Sequence, residues 1–209
     1  MNKICSKLSN DELHSSHRRI IVNLDTFCQE LEENLLRADC CEKKVAITES
    51  MLNKLTDSSF DCCQKWDCRE GCYARHLVFQ GSESGCCIVA MSWGPGQGTP
   101  VHDHDGTWCV ECCLEGRLEV VQYEMEGEVD EPEGNLYHFE AKNAQTVGKG
   151  SVGCLIPPFE HHVIRNPFTE RAVTLHVYGK ELKKASCFYP VNDNLYRREE
   201  RPLSYASAQ

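Results

Sequence analysis

Residues Gly94 to Gly116, GPGQGTPVHDHDGTWCVECCLEG, decide how the rest of the chain is read. His102 and His104 stand one residue apart, and side chains of an extended strand alternate, so both rings would project to one side. Two imidazoles placed that way can share a metal ion. The glycines and Pro95 just before them disfavour helix and suit a tight turn into the strand, while Gly116 behind Leu114 supplies the turn at the far end. An isolated HxH pair reads equally well as two surface histidines flanking Asp103, so the surroundings must choose.

Outward from this stretch the hydrophobic period is two. Strands are expected at 73–80, 86–93, 100–105, 108–114, 117–125, 135–140, 151–156, 161–165 and 172–178, separated by Gly, Pro, Asn and acidic turns. Upstream, from His17 to about Leu55, the period is helical. Ile20, Leu24, Phe27, Leu31 and Leu35 form one apolar face with Ser16 as the expected cap, and Val45, Met51, Leu52 and Leu55 form a second, shorter one after a break near Ala38-Asp39. Residues 57–71 read as loop, and the acidic run from Glu124 to Glu133 as a solvated hairpin loop. From Gly179 the signals weaken, so an irregular tail is expected from Asn192. Helices followed by many short strands predict a mainly β, single-domain chain over 1–209, with a helical part at 17–56 bracing a small β-barrel at about 73–180.

The chain has 209 residues and a formal net charge of −10. That balance argues against nucleic acid or an anionic membrane as partner, since both reward clustered Lys and Arg, and favours a small-molecule substrate. No stretch approaches the roughly 18 apolar residues of a membrane span, and no basic segment followed by an apolar run opens the chain, so a cytoplasmic monomer is expected. The 15 cysteines then read as reduced thiols, most of them acting as small buried hydrophobes. Zinc at Cys62, Cys63, Cys68 and Cys72, or at Cys109 with Cys112, lacks a matched second pair.

The spacing of Gly96, His102, His104, Cys109 and Gly116 resembles the first metal motif of the cupins, with cysteine where most cupins carry a glutamate ligand. Pro157, His162 and Asn166 resemble the second. Tyr73-Ala74-Arg75 resembles a YxR substrate motif, and Thr174-Leu175-His176-Val177-Tyr178 resembles an SxHxY motif with threonine for serine. Together, over about residues 70 to 180, these resemble the cysteine dioxygenase family of thiol dioxygenases within the cupin superfamily.

The resemblance implies Fe(2+) held by His102, His104 and His162. Imidazole alone suits several metals, so the choice of iron comes from the family. Three neutral ligands on one face leave room for a bidentate thiol and O2, and without a ligand carboxylate the more electrophilic metal favours an anionic thiolate. The product would be a sulfinate. Arg75, which composition alone would make a surface ion pair, becomes the clamp for the substrate carboxylate, with Tyr73 beside it. Tyr178 would lie next to the iron, oriented by His176, and Cys109 could become its thioether partner. His161 and His162 point to opposite faces of a strand, and the HxxxN spacing to Asn166 selects His162.

The expected function is oxidation of L-cysteine by O2 to cysteine sulfinate. The alternative is 3-mercaptopropionate oxidation: arginine at position 75 accompanies the cysteine enzymes, but Trp93-Gly94-Pro95-Gly96-Gln97 and the glycine after Tyr178 resemble the mercaptopropionate branch. A non-catalytic metal-binding cupin, or a zinc or nickel cupin catalysing isomerisation or hydrolysis, are the rivals from other classes.

Overall fold

The computed structural model describes residues 23–57, 66–130 and 134–206. Helix α1, Leu24–Arg37, begins where the extended Asn23 turns its side-chain oxygen onto the Asp25 N–H at 2.8 Å. Asp25 in the first turn and Arg37 in the last both suit the helix dipole. Asn23 therefore caps the described helix, and the expected Ser16 cap and Ile20 lie outside the described residues. Phe27, Cys28, Leu31 and Leu35 are buried at helical spacing, and each fully buried leucine contributes about 1.5–3 kcal/mol. Helix α2, Cys41–Asp57, adds Val45, Leu52 and Leu55 to the same apolar layer.

Twelve strands follow among the described residues: β1 Ala74–Gln80, β2 Cys87–Trp93, β3 Val101–His102, β4 Cys109–Glu115, β5 Arg117–Glu128, β6 Leu136–Ala141, β7 Gln145–Gly148, β8 Val152–Leu155, β9 His162–Arg165, β10 Ala172–Tyr178, β11 Lys184–Asn192 and β12 Leu195–Pro202. They form a five-stranded sheet, β1-β2-β10-β4-β8, and a seven-stranded sheet, β6-β12-β11-β3-β9-β5-β7, with β6 also pairing with β5. The result is mainly β, a cupin-like double-stranded β-helix with two helices before it.

Strands β2 and β10 are buried at every position, and the layering explains why. One face of the smaller sheet, with Ile88, Ala90, Val110, Cys112, Val173, Leu175 and Val177, packs on the helices. The alternate face, with Cys87, Val89, Met91, Trp93, Cys109 and Tyr178, looks into the space between the sheets. A sheet covered on both sides has no solvent face, so its central strands lose the polar alternation of a half-buried strand. Seven of the described cysteines, among them Cys28, Cys86, Cys87 and Cys112, are buried, as expected of small hydrophobes.

Three expectations are corrected. First, the strand expected over 100–105 is only Val101–His102, because the Asp103 carboxylate accepts the N–H groups of Ser186 at 2.8 Å and Asp105 at 3.2 Å and turns the chain. Asp105 at φ 50° and Gly106 at φ 71° complete that turn. Second, the acidic run expected as loop is strand as far as Glu128 in β5, and residues 131–133 lie outside the described residues. Third, the residues from Asn192 expected as an irregular tail include β12, which closes an antiparallel hairpin with β11; β11 pairs with β3 and β12 with β6. The hairpin's side chains pair across the two strands, with Lys184 Nζ at 2.7 Å from Glu200 and Arg198 Nε donating to Ser186 Oγ at 3.0 Å. Among the described residues no helix is long and apolar enough to cross a membrane.

Candidate metal centre

His102 closes β3, His104 lies in the turn beyond it, and His162 opens β9 as the direct cross-strand partner of His102. Ring centroids stand 5.3 Å apart for His102–His104, 4.6 Å for His102–His162 and 5.2 Å for His104–His162. One ring nitrogen from each lies within 4.8 Å of the others, a spacing that could hold one metal ion. His104 and His162 are each 1% exposed. Pro100 O lies 3.2 Å from His102 Nδ1, and a carbonyl only accepts, so Nδ1 carries the proton and the Nε2 lone pair faces inward. There it meets His162 Nε2 at 3.2 Å.

Burial pushes the pKa of His102 down, and those of His104 and His162 well down. The neighbouring imidazoles reinforce the effect for the latter two. Neutral rings with converging lone pairs are what a cation requires, since metal ligation and protonation compete for the same electron pair. Three neutral imidazoles, two of them buried, and no carboxylate among them fit a divalent transition metal better than calcium or magnesium, which take oxygen ligands.

His161 points away. It is buried against Phe139 at 5.1 Å and Phe188 at 5.5 Å between ring centroids, on the far side of β9's entry. The period-two alternation that separated the two histidines in sequence thus separates them in space. Asn166 is wholly buried as an anchor: its amide nitrogen donates to Trp93 O at 3.0 Å and Glu170 O at 2.8 Å, and its oxygen accepts from the Phe168 N–H at 3.1 Å.

Thr174, His176 and Tyr178 share the inward face of β10. Trp93 Nε1 donates to Thr174 Oγ1 at 2.9 Å, and Thr174 Oγ1 lies 2.7 Å from His176 Nε2. The other nitrogen of His176 looks toward Glu111, 3.1 Å away, and Cys109 Sγ, 3.9 Å away. His176 therefore touches Tyr178 by ring stacking, centroids 6.0 Å apart, and does not spend a ring nitrogen on the phenol as a simple relay would require. Tyr178 also faces His104 at 5.9 Å and is the cross-strand partner of Cys109. Burial raises the pKa of both groups well above ordinary values, so phenol and thiol stay protonated at neutral pH.

Arg75 lies in β1, 5% exposed, with Nη1 and Nη2 buried and without hydrogen-bond partners among the described residues. Its guanidinium carbon sits 5.0 Å over the Tyr205 ring. Tyr73, just before β1, stacks on Trp93 at 4.7 Å. One cleft is lined by Tyr73, Arg75, His102, His104, Tyr178 and Leu203 among others. The structure thus brings together residues separated by more than a hundred positions. Two contributions were missed from sequence: the C-terminal Leu203 and Tyr205, which only the unanticipated hairpin delivers here, and Glu111, which the period-two alternation from Cys109 already placed on the inward face.

The sequence model of the family described as Cysteine dioxygenase type I matches residues 33–189. Among curated proteins, Cysteine dioxygenase type 1 of Rattus norvegicus is 26% identical over 117 residues, 56% of this chain and 55% of the relative. That of Homo sapiens is 25% identical over the same share. The chain therefore spans about half the length of the curated relatives it matches. Among solved structures, the protein TT1209 from Thermus thermophilus is similar at 21% identity and a TM-score of 0.41, covering 56% of this chain and 92% of that one.

Proposed function

We propose that this chain, which belongs to the cysteine dioxygenase type I family, oxidises L-cysteine with O2 to cysteine sulfinate using Fe(2+) held by His102, His104 and His162. The observation that carries the reading is a cleft in which His102 and His104 meet a buried guanidinium whose terminal nitrogens have no hydrogen-bond partner among the described residues. An amino-acid thiol offers both complements, a carboxylate for the fork of Arg75 and a sulfur for the imidazole cluster. Iron(II), when bound, supplies open coordination positions where a thiolate and dioxygen can meet. The chain supplies orientation: Arg75 fixes one end of the substrate, Tyr73 narrows the cleft, and the protonated Tyr178 can donate a hydrogen bond beside His104.

The two features that resemble the mercaptopropionate branch have packing reasons in this chain. A Cβ at Gly179 would lie 2.5 Å from Trp108 Nε1 and 2.7 Å from Thr107 Oγ1, so only glycine fits after Tyr178. Gln97 closes its own turn, accepting from Gly94 N at 2.8 Å and donating to Arg69 O at 2.6 Å. Neither Gln97 nor Gly179 lines the cleft, whereas Arg75 does, and Arg75 is the residue that favours cysteine. Iron-loaded protein is expected to consume O2 and form the sulfinate with L-cysteine at a higher kcat/KM than with 3-mercaptopropionate. A preference for the thiol lacking the amine reverses the substrate choice, and no oxygen uptake with either overturns the enzyme reading in favour of a metal-binding cupin.

A thioether between Cys109 and Tyr178 is part of the same reading, supported by their pairing across β4 and β10. As cross-strand partners their Cβ atoms are expected about 4.5–5.5 Å apart. The bond forms as the thiol gives up its hydrogen and the ring one of its own, dioxygen taking the two electrons and two protons. Intact-mass measurement after turnover should show the loss of two hydrogens in the wild type and none in Cys109→Ala. Activity in that variant is expected to fall only a few-fold, because the link merely saves the cost of orienting a phenol already held by burial.

A further inference from the structure

We propose that Glu111 is a positioning residue for the metal centre, one buried carboxylate that orients both the third imidazole of the triad, His162, and the histidine stacked beneath Tyr178, His176. The inference rests on the three-histidine reading and adds a residue to it.

Glu111 lies two positions after Cys109 in β4 and is the cross-strand partner of His176 in β10 and of Gly153 in β8. By alternation it shares the inward face with Cys109, and its side chain is only 13% exposed. Its Oε2 stands 3.1 Å from His176 Nδ1 and its Oε1 4.0 Å from His162 Nδ1. Because His162 turns Nε2 toward His102, Nδ1 is the outer nitrogen of that ring. This atom and Glu111 Oε2 are both buried without a well-aligned hydrogen bond.

A buried carboxylate oxygen beside the buried, unpaired Nδ1 of His162 is costly unless it serves that ring. Histidines that ligate a metal commonly give their second N–H to a carboxylate, which fixes the tautomer and raises the basicity of the ligating nitrogen. Glu111 stands where that partner belongs. On the other ring, Trp93 donates to Thr174, whose hydroxyl can in turn donate to His176 Nε2 and so leave an Nδ1–H 3.1 Å from the carboxylate. The same carboxylate thereby ties the triad to the strand that carries Tyr178.

Co(II) titration of the metal-free protein, followed by its visible absorption bands, tests the proposal. Glu111→Gln is expected to weaken Co(II) binding about 10- to 100-fold and to alter the bands, with the melting temperature of the metal-free protein not lowered. Glu111→Asp, which keeps the charge, should recover part of the affinity. An affinity within about two-fold of wild type in Glu111→Gln overturns the proposal. So does an equal loss in both variants with a lowered metal-free melting temperature, which would indicate packing alone. Since Cys109, Glu111 and His176 are themselves within 4.8 Å of one another, wild type taking up two Co(II), one of them lost in Glu111→Gln, would make Glu111 a ligand and overturn the positioning role. Wild type that binds no Co(II) at all overturns the three-histidine centre itself, an outcome distinct from all the others.

Discussion

His162→Ala is expected to leave the protein without iron and to cut oxygen consumption with cysteine by about 10³-fold or more, while His161→Ala keeps both iron and most of its activity. A bound metal contributes several kcal/mol to the reaction, and each 1.36 kcal/mol is tenfold in rate. His162 is the cross-strand partner of His102 and converges on it through Nε2 at 3.2 Å, so removing its ring leaves two nitrogens where three are needed. His161 fills an aromatic pocket between Phe139 and Phe188. Its truncation should act on stability instead, by about 1–3 kcal/mol, read as a lower melting temperature at unchanged iron content. Metal analysis of the two purified variants checks the pair. Iron lost from His161→Ala and kept in His162→Ala would exchange the two roles.

The adjacent histidines show what spacing can reveal. A strand has only two faces, so once His102 and His104 were paired, the HxxxN spacing was enough to select one of two neighbours, and the structure brings that one to the cluster. The same logic was weaker where both faces of a strand are covered. In Cys109-Val110-Glu111-Cys112-Cys113-Leu114, Val110, Cys112 and Leu114 form the more apolar set, which suggests the core. They do reach a core, the layer under α1 and α2, but the polar set reaches the cavity between the sheets. Glu111 was assigned no role from sequence, although alternation alone puts it on one face with Cys109. The C-terminal hairpin was illegible for another reason. β12 reads Leu195-Tyr196-Arg197-Arg198-Glu199-Glu200-Arg201-Pro202, with an exposed outer half, and its stability comes from partners in β11 and β6 that no local pattern announces. Missing that hairpin meant missing Leu203 and Tyr205, and with them one wall of the cleft.

Arg75→Ala should lower kcat/KM for cysteine by about 30- to 1,000-fold, carried mainly by KM, at full iron content. The magnitude follows from the about 2–4 kcal/mol that a buried, charge-assisted contact to a carboxylate is worth at a site closed to water. Iron should stay because Arg75 is in β1, in the sheet opposite the one that carries His102 and His162. The second expectation separates a clamp from a structural arginine. Among the described residues both terminal nitrogens are buried without a hydrogen-bond partner and the Tyr205 ring lies beneath the group, and a buried cation in that state opposes folding. Removing it should therefore leave the melting temperature unchanged or raise it, the exchange of stability for function expected at a prepared binding site. An arginine that served the fold would show the reverse, a lower melting temperature with KM untouched, and that result would sink the clamp. Arg75→Gln carries the argument to the substrate: it keeps hydrogen-bond donors but gives up the charge and the fork, so the ratio of kcat/KM for 3-mercaptopropionate to that for cysteine should rise. An unchanged ratio would mean that position 75 does not choose between the two thiols, and the preference for cysteine would have to come from a group near the substrate amine, where Asp103 is the acidic residue lining the cleft.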